Sequence, residues 1–402
     1  MFVSVQRQLV AAPPLRNEEG APANQKELRN ALLHGLDISL NDRPRLDGAQ
    51  VNLPLETCWE MYNRRVLHMR GHEKIKAWAA THDVNIPLVG VAFWHDMRAF
   101  DRKPQKLPDA SYEGLISASG VAGLKVYLLG YAPVTNLPAN VEACPAEEVL
   151  GWKEFLKLRR KGRRVQLLSD YARAKKLQLL GGGFFLDNDS LWLRAAPGDC
   201  ALGHFFASMK AHPNFRTTKK QKVKSWAVHY LVEQFDELYL ATPWGFAAKS
   251  PVLDDFLAKC EEQLLDADTY PVLRCPHGGA RNACMAWMAD CLRAWGLEQA
   301  VAKADACTPL AYGKVRSVSA LQAKKDSFQQ AQAILSSALC VNNFWQSTST
   351  LAEGESSDVH SLGSMARVEA GSVWDYLRQH VQATLLGRIN KKKSGSISGL
   401  LL

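Results

Sequence analysis

No Cys-x-x-Cys pair occurs among the nine cysteines of this 402-residue chain, and no window approaches eighteen uninterrupted apolar residues. The first absence removes the usual spacing of a structural zinc site or a dithiol redox motif. The second argues against a membrane-spanning helix. The opening residues, MFVSVQRQLVAAPPL, reach two prolines before any long apolar stretch, so no secretory signal is expected and the chain reads as cytoplasmic. No internal repeat is visible. Cys275, His277 and Cys284 lack a standard zinc spacing, whereas Cys284 and Cys291 share the apolar face of an expected helix with Met288 and Trp295. That pattern predicts buried free thiols in a reducing compartment.

What is present is ordinary globular material: 47% hydrophobic, 9% aromatic and 22% charged residues. This excludes a disordered chain and provides a sizeable core without staples. The net charge of +9 is unevenly placed. Lys157–Arg164 holds six basic residues, Arg216–Lys224 five and Arg388–Lys393 four, which leaves 34 basic against 40 acidic residues elsewhere. The body is mildly acidic and carries basic tracts. A charge run is most often a solvated face, and a phosphate-rich partner is the alternative. The tracts lack interleaved aromatics for base stacking, which counts against single-stranded nucleic acid.

Periodicity predicts helices over about 25–35 and 55–81, so residues 1–84 read as an N-terminal helical extension. Pro87–Trp94 and Gly123–Gly130 are short apolar runs suited to buried parallel strands, with a helix near 110–119 between them. Ser169 caps an expected helix over Asp170–Leu180, Gly181-Gly182-Gly183 stops it, and Phe184–Leu186 follows as a strand. Later come helices near 224–235, 252–265, 281–295 and 372–386 and a strand at 237–242. Residues 389–402 read as a disordered basic tail. Alternating strands and helices predict an α/β domain over 85–388 with a mostly parallel sheet.

The expected central strand delivers Asp187-Asn188-Asp189 at its carboxyl end. Ligands of open α/β sheets gather there, and hard divalent cations such as Mn²⁺ or Mg²⁺ prefer carboxylate oxygens. Asp266-Ala-Asp268 has the same spacing but ends a surface helix and reads as turn chemistry. Asp170 and Arg173, three apart, share one helix face. Arg173 suits either a phosphate or a bidentate grip on a carboxylate, and Asp170 can accept hydrogen bonds from ribose or uracil. An ordinary surface ion pair at a helix start is the plain alternative.

Ser169-Asp-Tyr-Ala-Arg173, followed by Leu177-Gln-Leu-Leu-Gly-Gly-Gly-Phe-Phe-Leu-Asp-Asn-Asp189, resembles the pattern of the DXD-containing sugar-binding-region glycosyltransferases. That family takes in capsular-polysaccharide and mannosyl-type transferases and is related to the clostridial glucosylating toxins. Ile86-Pro87 with Phe93-Trp94, and Leu124–Leu128 with Pro138 and Ala146–Leu150, are weaker matches, so the resemblance spans about 85–265. It implies a GT-A-like nucleotide-binding domain and a retaining hexosyltransferase that uses a nucleotide-sugar, a UDP-sugar foremost. Carried over by position, Trp94 stacks on the base, and Asp170 and Arg173 hold the nucleotide-sugar. Asp187 and Asp189 are the catalytic, metal-binding pair for Mn²⁺ or Mg²⁺, with Asp187 also on the ribose. Trp94 has an equally plain reading as a strand-end core residue.

Three glycines stand where the family has two, Phe185 stands where Tyr is common, and Lys175-Lys176 and Gln178 interrupt a usually apolar helix. Asn343–Ser347 matches an aromatic and polar segment that relatives place near the diphosphate, against Trp345 as a core aromatic. The acceptor, whether glycan, protein or lipid, is not written in the sequence. Two other classes stay open: a basic polyanion- or nucleic-acid-binding protein, and a catalytically inactive glycosyltransferase-like interaction module.

Overall fold

The computed structural model describes residues 70–96, 99–163, 165–188, 190–198, 200–208, 240–265, 283–297, 301–302, 327–342, 371 and 373–398. A helix over 70–79 (α1) opens the described chain. Then follow β1 (Val89–Phe93), α2 (Asp109–Gly120), β2 (Lys125–Gly130), β3 (Val141–Pro145), α3 (Trp152–Arg160), α4 (Val165–Leu180) and β4 (Gly183–Phe185). Next are β5 (Ser190–Trp192), β6 (His204–Ser208), β7 (Leu240–Phe246) and α5 (Pro251–Cys260). The rest are α6 (Ala283–Ala294), β8 (Val301–Ala302), α7 (Ser327–Ser337), β9 (Cys340–Asn342) and α8 (Val373–Ser398).

The architecture is mixed α/β, as the alternating pattern predicts. Seven strands form one sheet in the order β3-β2-β1-β4-β7-β6-β8, and β5 pairs with β9 separately. The pairs β1–β2, β2–β3, β1–β4 and β6–β8 are parallel, while β7 runs antiparallel to both β4 and β6. From β1 the chain builds outward to β2 and β3, then returns to lay β4 on the other side of β1. The carboxyl ends of β1 and β4 therefore flank a topological switch point, where open α/β sheets bind their ligands.

Two compact units divide the chain. In the smaller, His72 Nδ1 lies 3.2 Å from its acceptor, the Gly296 carbonyl. The larger unit holds the sheet. Its core gathers Ala92, Val126, Leu128, Phe184, Leu186 and Trp192 from the strands. A second apolar cluster joins Leu191, Val341, Leu377 and Val381 beneath α7 and α8.

The glycine turn between α4 and β4 fixes how helix and strand meet. Gly181, Gly182 and Gly183 all have positive φ, at 76°, 106° and 122°, a region that side chains rarely adopt. A Cβ on Gly182 would lie 2.5 Å from the Phe246 oxygen, and one on Gly183 2.6 Å from the Val89 oxygen. The third glycine, a departure from the family pattern, is thus required by close backbone approach here.

Several expectations are corrected. α4 begins at Val165, not Asp170, so Ser169 is no cap; its hydroxyl donates to the Gln166 carbonyl at 2.6 Å. The Val165-Gln-Leu-Leu168 run supplies a further apolar turn, with Val165 and Leu168 buried. The expected strand at 237–242 is β7, Leu240–Phe246, further along the chain. The last helix runs to Ser398, so residues 389–398 of the expected tail are helical. Lys391–Lys393 are good helix formers and no proline interrupts them. Residues 1–69 of the expected N-terminal extension lie outside the described residues, as do Arg216–Lys224, Asp266–Asp268, Cys275, His277 and Asn343–Ser347.

Asp254 lies in the first turn of α5, where a carboxylate favours the helix dipole, and Ser250 caps that helix by accepting from the Leu253 N–H at 3.2 Å. As expected, Cys284 and Cys291 are buried and neither is in a disulfide. Burial pushes the Cys291 thiol up to about 12 and holds the Cys284 thiol well above its ordinary value. Both stay protonated and unreactive at neutral pH.

His204 adds a pH dependence. Its ring is 2% exposed, Nδ1–H donates to the Leu202 carbonyl at 2.6 Å, and Nε2 accepts from the Ser250 hydroxyl at 2.7 Å. Burial drops its pKa to about 4 from 6.5. The neutral ring is the folded form, so its contribution is complete above the unfolded value of about 6.5 and is lost as pH falls from there towards 4. The loss amounts to roughly 3 kcal/mol. Urea unfolding at pH 7, 6, 5 and 4 is expected to show this decline, and His204→Gln to flatten it. An equally steep decline in that variant would assign the effect to other groups.

Candidate functional site

Two residues beyond β4, Asp187 receives a hydrogen bond on each carboxylate oxygen. Arg173 donates from NH1 to Oδ1 at 2.7 Å, and Thr242 donates its hydroxyl to Oδ2 at 2.6 Å. Arg173 reaches Asp170 Oδ1 with NH2 at 2.5 Å, the Leu186 carbonyl with NH1, and the Ser169 carbonyl with Nε at 3.4 Å. Its guanidinium carbon sits 3.9 Å from the centre of the Phe185 ring, on which Trp244 stacks at 4.5 Å. Burial works against the Arg173 charge, but the Asp187 and Asp170 carboxylates outweigh it and hold the pKa above the ordinary value.

Exposure falls inward along this chain of groups. The Asp187 side chain is 23% exposed, Arg173 7% and Asp170 3%. The Asp170–Arg173 pair is therefore no surface ion pair at a helix start. It is buried and lies in the second turn of α4, because the helix starts earlier than its sequence suggests. Of the two roles open to Arg173, a phosphate contact or a grip on carboxylates, the structure shows the second, divided between two carboxylates. The formal charge of Asp170, Arg173 and Asp187 is −1. Asp189 lies outside the described residues.

Trp94 follows the last residue of β1. Its backbone N–H donates to the Leu129 carbonyl at 2.9 Å, and its ring is partly buried against the core. That packing supports the core reading without excluding a ligand, because Nε1 is buried and has no hydrogen-bond partner among the described residues. The same holds for Ser190 Oγ, one residue past Asp189. The loop that follows Trp94 is anchored by His95, 3% exposed, whose Nε2 lies 3.2 Å from its acceptor, the Ala99 carbonyl. Rings of Tyr131, Trp152 and Phe155 surround His95 at 5.4–5.8 Å, and burial lowers its pKa. Asn188 Nδ2 donates to the Phe93 carbonyl at 3.4 Å, tying the loop after β4 to the end of β1.

Two described groups could serve as oxygen ligands of a hard cation: the partly exposed Asp187 carboxylate, with lone pairs still available, and the Ser190 hydroxyl. Among the described residues no group of three His, Cys, Asp or Glu gathers at one point.

No family model matches the chain, and no curated protein matches it. Among solved structures the chain is similar to one titled "PaToxG Glycosyltransferase", at 9% identity and a TM-score of 0.28, with 57% of this chain and 76% of that one covered.

Thr242 was not foreseen in the sequence. It lies in Leu-Ala-Thr-Pro-Trp-Gly-Phe, where proline and glycine mask the strand. Sequence reasoning also missed Phe185 as the seat for Arg173. The basic tract at 157–164 is more than a solvated face. Arg163 is buried and donates from Nε to the Leu264 carbonyl at 3.1 Å. Arg159 donates to the Ala99 carbonyl and lies 4.0 Å over the Phe100 ring, and Lys157 pairs with Glu154 at 3.2 Å. Arg164 is outside the described residues. No described helix is long and apolar enough to cross a membrane.

Proposed function

We propose that the chain is a metal-dependent glycosyltransferase that transfers a sugar, with retention, from a nucleotide-sugar to an acceptor, with a UDP-sugar the favoured donor. The observation that carries this reading is Asp187, fixed through both oxygens beyond the central strand β4, with Asp189 two residues on in the sequence and Trp94 beyond the neighbouring parallel strand β1. Asp187 and Asp189 would hold Mn²⁺ or Mg²⁺, and Trp94 would meet the base. Such an ion, when bound, neutralises charge on a leaving diphosphate. In this reading Asp170 and Arg173 serve the donor through Asp187, the most exposed of the three.

The antiparallel pairing of β9 with β5 sets Asn342 opposite Ser190. The acceptor stays a glycan, a protein or a lipid.

The test is thermal unfolding of the full chain with a panel of nucleotide-sugars, with and without Mn²⁺. A UDP-sugar plus Mn²⁺ is expected to raise Tm beyond either alone, because a ligand at 100 times its Kd adds about 2.7 kcal/mol to the folded state. No shift with any sugar nucleotide in the presence of Mn²⁺ would overturn the reading.

A further inference from the structure

The antiparallel register of β4 and β7 matches Phe185 with Trp244 and Phe184 with Gly245. Two steps further along the same register stand Asp187 and Thr242. Pro243, between Thr242 and Trp244, has no N–H, so the backbone ladder cannot continue through it. At this point the side chains take over: the Thr242 hydroxyl donates to Asp187 Oδ2 at 2.6 Å. Thr242 is 1% exposed, and its β-branched side chain is restricted at χ1.

On the other oxygen the grip comes from Arg173, whose fork is divided, NH1 to Asp187 and NH2 to Asp170. Arg173 therefore supplies only one point of attachment to Asp187, and a carboxylate held at one point can turn about its Cβ–Cγ bond. The hydroxyl supplies the second point and sets the carboxylate plane. Each oxygen keeps lone pairs that neither donor uses.

We infer that Thr242 is a positioning residue that fixes the plane of the Asp187 carboxylate for binding a divalent cation, an inference that rests on the metal-dependent reading of this site. It touches neither donor nor ion; it acts through Asp187. Partners of this kind, which orient a ligand carboxylate, change metal affinity about 10- to 100-fold when removed. A hydroxyl is what the position needs, so serine serves and valine, of the same shape, does not.

The experiment measures Mn²⁺ affinity of the full chain from the electron paramagnetic resonance signal of free Mn²⁺, with thermal unfolding as the check on folding. Thr242→Val is expected to weaken Mn²⁺ binding about tenfold and Thr242→Ser to stay within about threefold of wild type. Thr242→Ala carries the same expectation as the valine variant and replaces it if that variant lacks a native transition. Wild-type affinity in a hydroxyl-less variant, beside lost binding in Asp187→Asn, overturns the role of Thr242 and leaves the metal site standing. Weakening in the serine variant equal to that in valine also overturns it, because packing would then explain the effect. Unchanged Mn²⁺ affinity in Asp187→Asn, or no binding by wild type, overturns the metal reading itself and this inference with it.

Discussion

Replacing Arg173 by methionine is expected to destabilise the protein by about 3–5 kcal/mol, the cost of removing one partner from a buried ion pair. Methionine fills much of the same volume against Phe185, so the loss is mainly electrostatic. Asp170, 3% exposed, loses the Arg173 guanidinium, and Asp187 loses one of its two donors. The Leu186 carbonyl also loses its Arg173 hydrogen bond. Urea unfolding should show a lower midpoint with an unchanged slope. The companion variant Arg173→Met with Asp170→Asn should recover a substantial part, since it removes the buried charge. A loss below about 1 kcal/mol in the single variant would mean that the triad is held by packing rather than by charge. Arg173→Lys is not a mild change here, because one ammonium cannot reproduce a fork divided between two carboxylates.

Asp187→Ala is expected to do the reverse: little to stability and nearly everything to turnover. Asp187 is the exposed end of the triad, and its removal leaves Arg173 paired with Asp170. Hydrolysis of a UDP-sugar with Mn²⁺ present should fall on the order of 10³-fold, about 4 kcal/mol of transition-state stabilisation. Thermal unfolding should stay within a few degrees of wild type. Full Mn²⁺-dependent hydrolysis in this variant would sink the proposed function. On the proposed function the two substitutions are expected to separate: Arg173→Met would lower stability, and Asp187→Ala would lower turnover.

The sequence carried those parts of the fold whose signals are local. Val89–Phe93 and Lys125–Gly130 were legible as apolar runs, and α2 and α6 through their periodicity. The α4–glycine–β4 block was legible because Gly181–Gly183 must adopt positive φ, which leaves a mark in residue type. Asp170, Arg173 and Asp187 were singled out in the sequence, and the structure brings these three together. Asp189 and the C-terminal aromatic segment lie outside the described residues.

Other elements left weaker marks. α3 is written as a basic tract, since Phe155 and Leu158 are its only buried apolar residues. β3, β5, β6, β8 and β9 are two to five residues long, too short for a period-2 pattern to stand out. β7 was displaced towards Glu237–Thr242 because Pro243 and Gly245 argue against a strand. Its antiparallel sense, which brings the start of the strand rather than its end to Asp187, depends on pairing alone. That is why Thr242 had no sequence signal.

The two hydrogen bonds on Asp187 differ in how much chain they enclose. The Arg173 contact closes 14 residues and the Thr242 contact 55. Loop-closure entropy grows logarithmically, so the second costs about 1.2 kcal/mol more to form from the open chain. The helix, the glycine turn and the acidic strand end are thus a local unit able to assemble early during folding. The threonine contact needs β7 to dock on β4, so on the inference above the plane of the carboxylate is set by a longer-range contact than the one that holds its first oxygen.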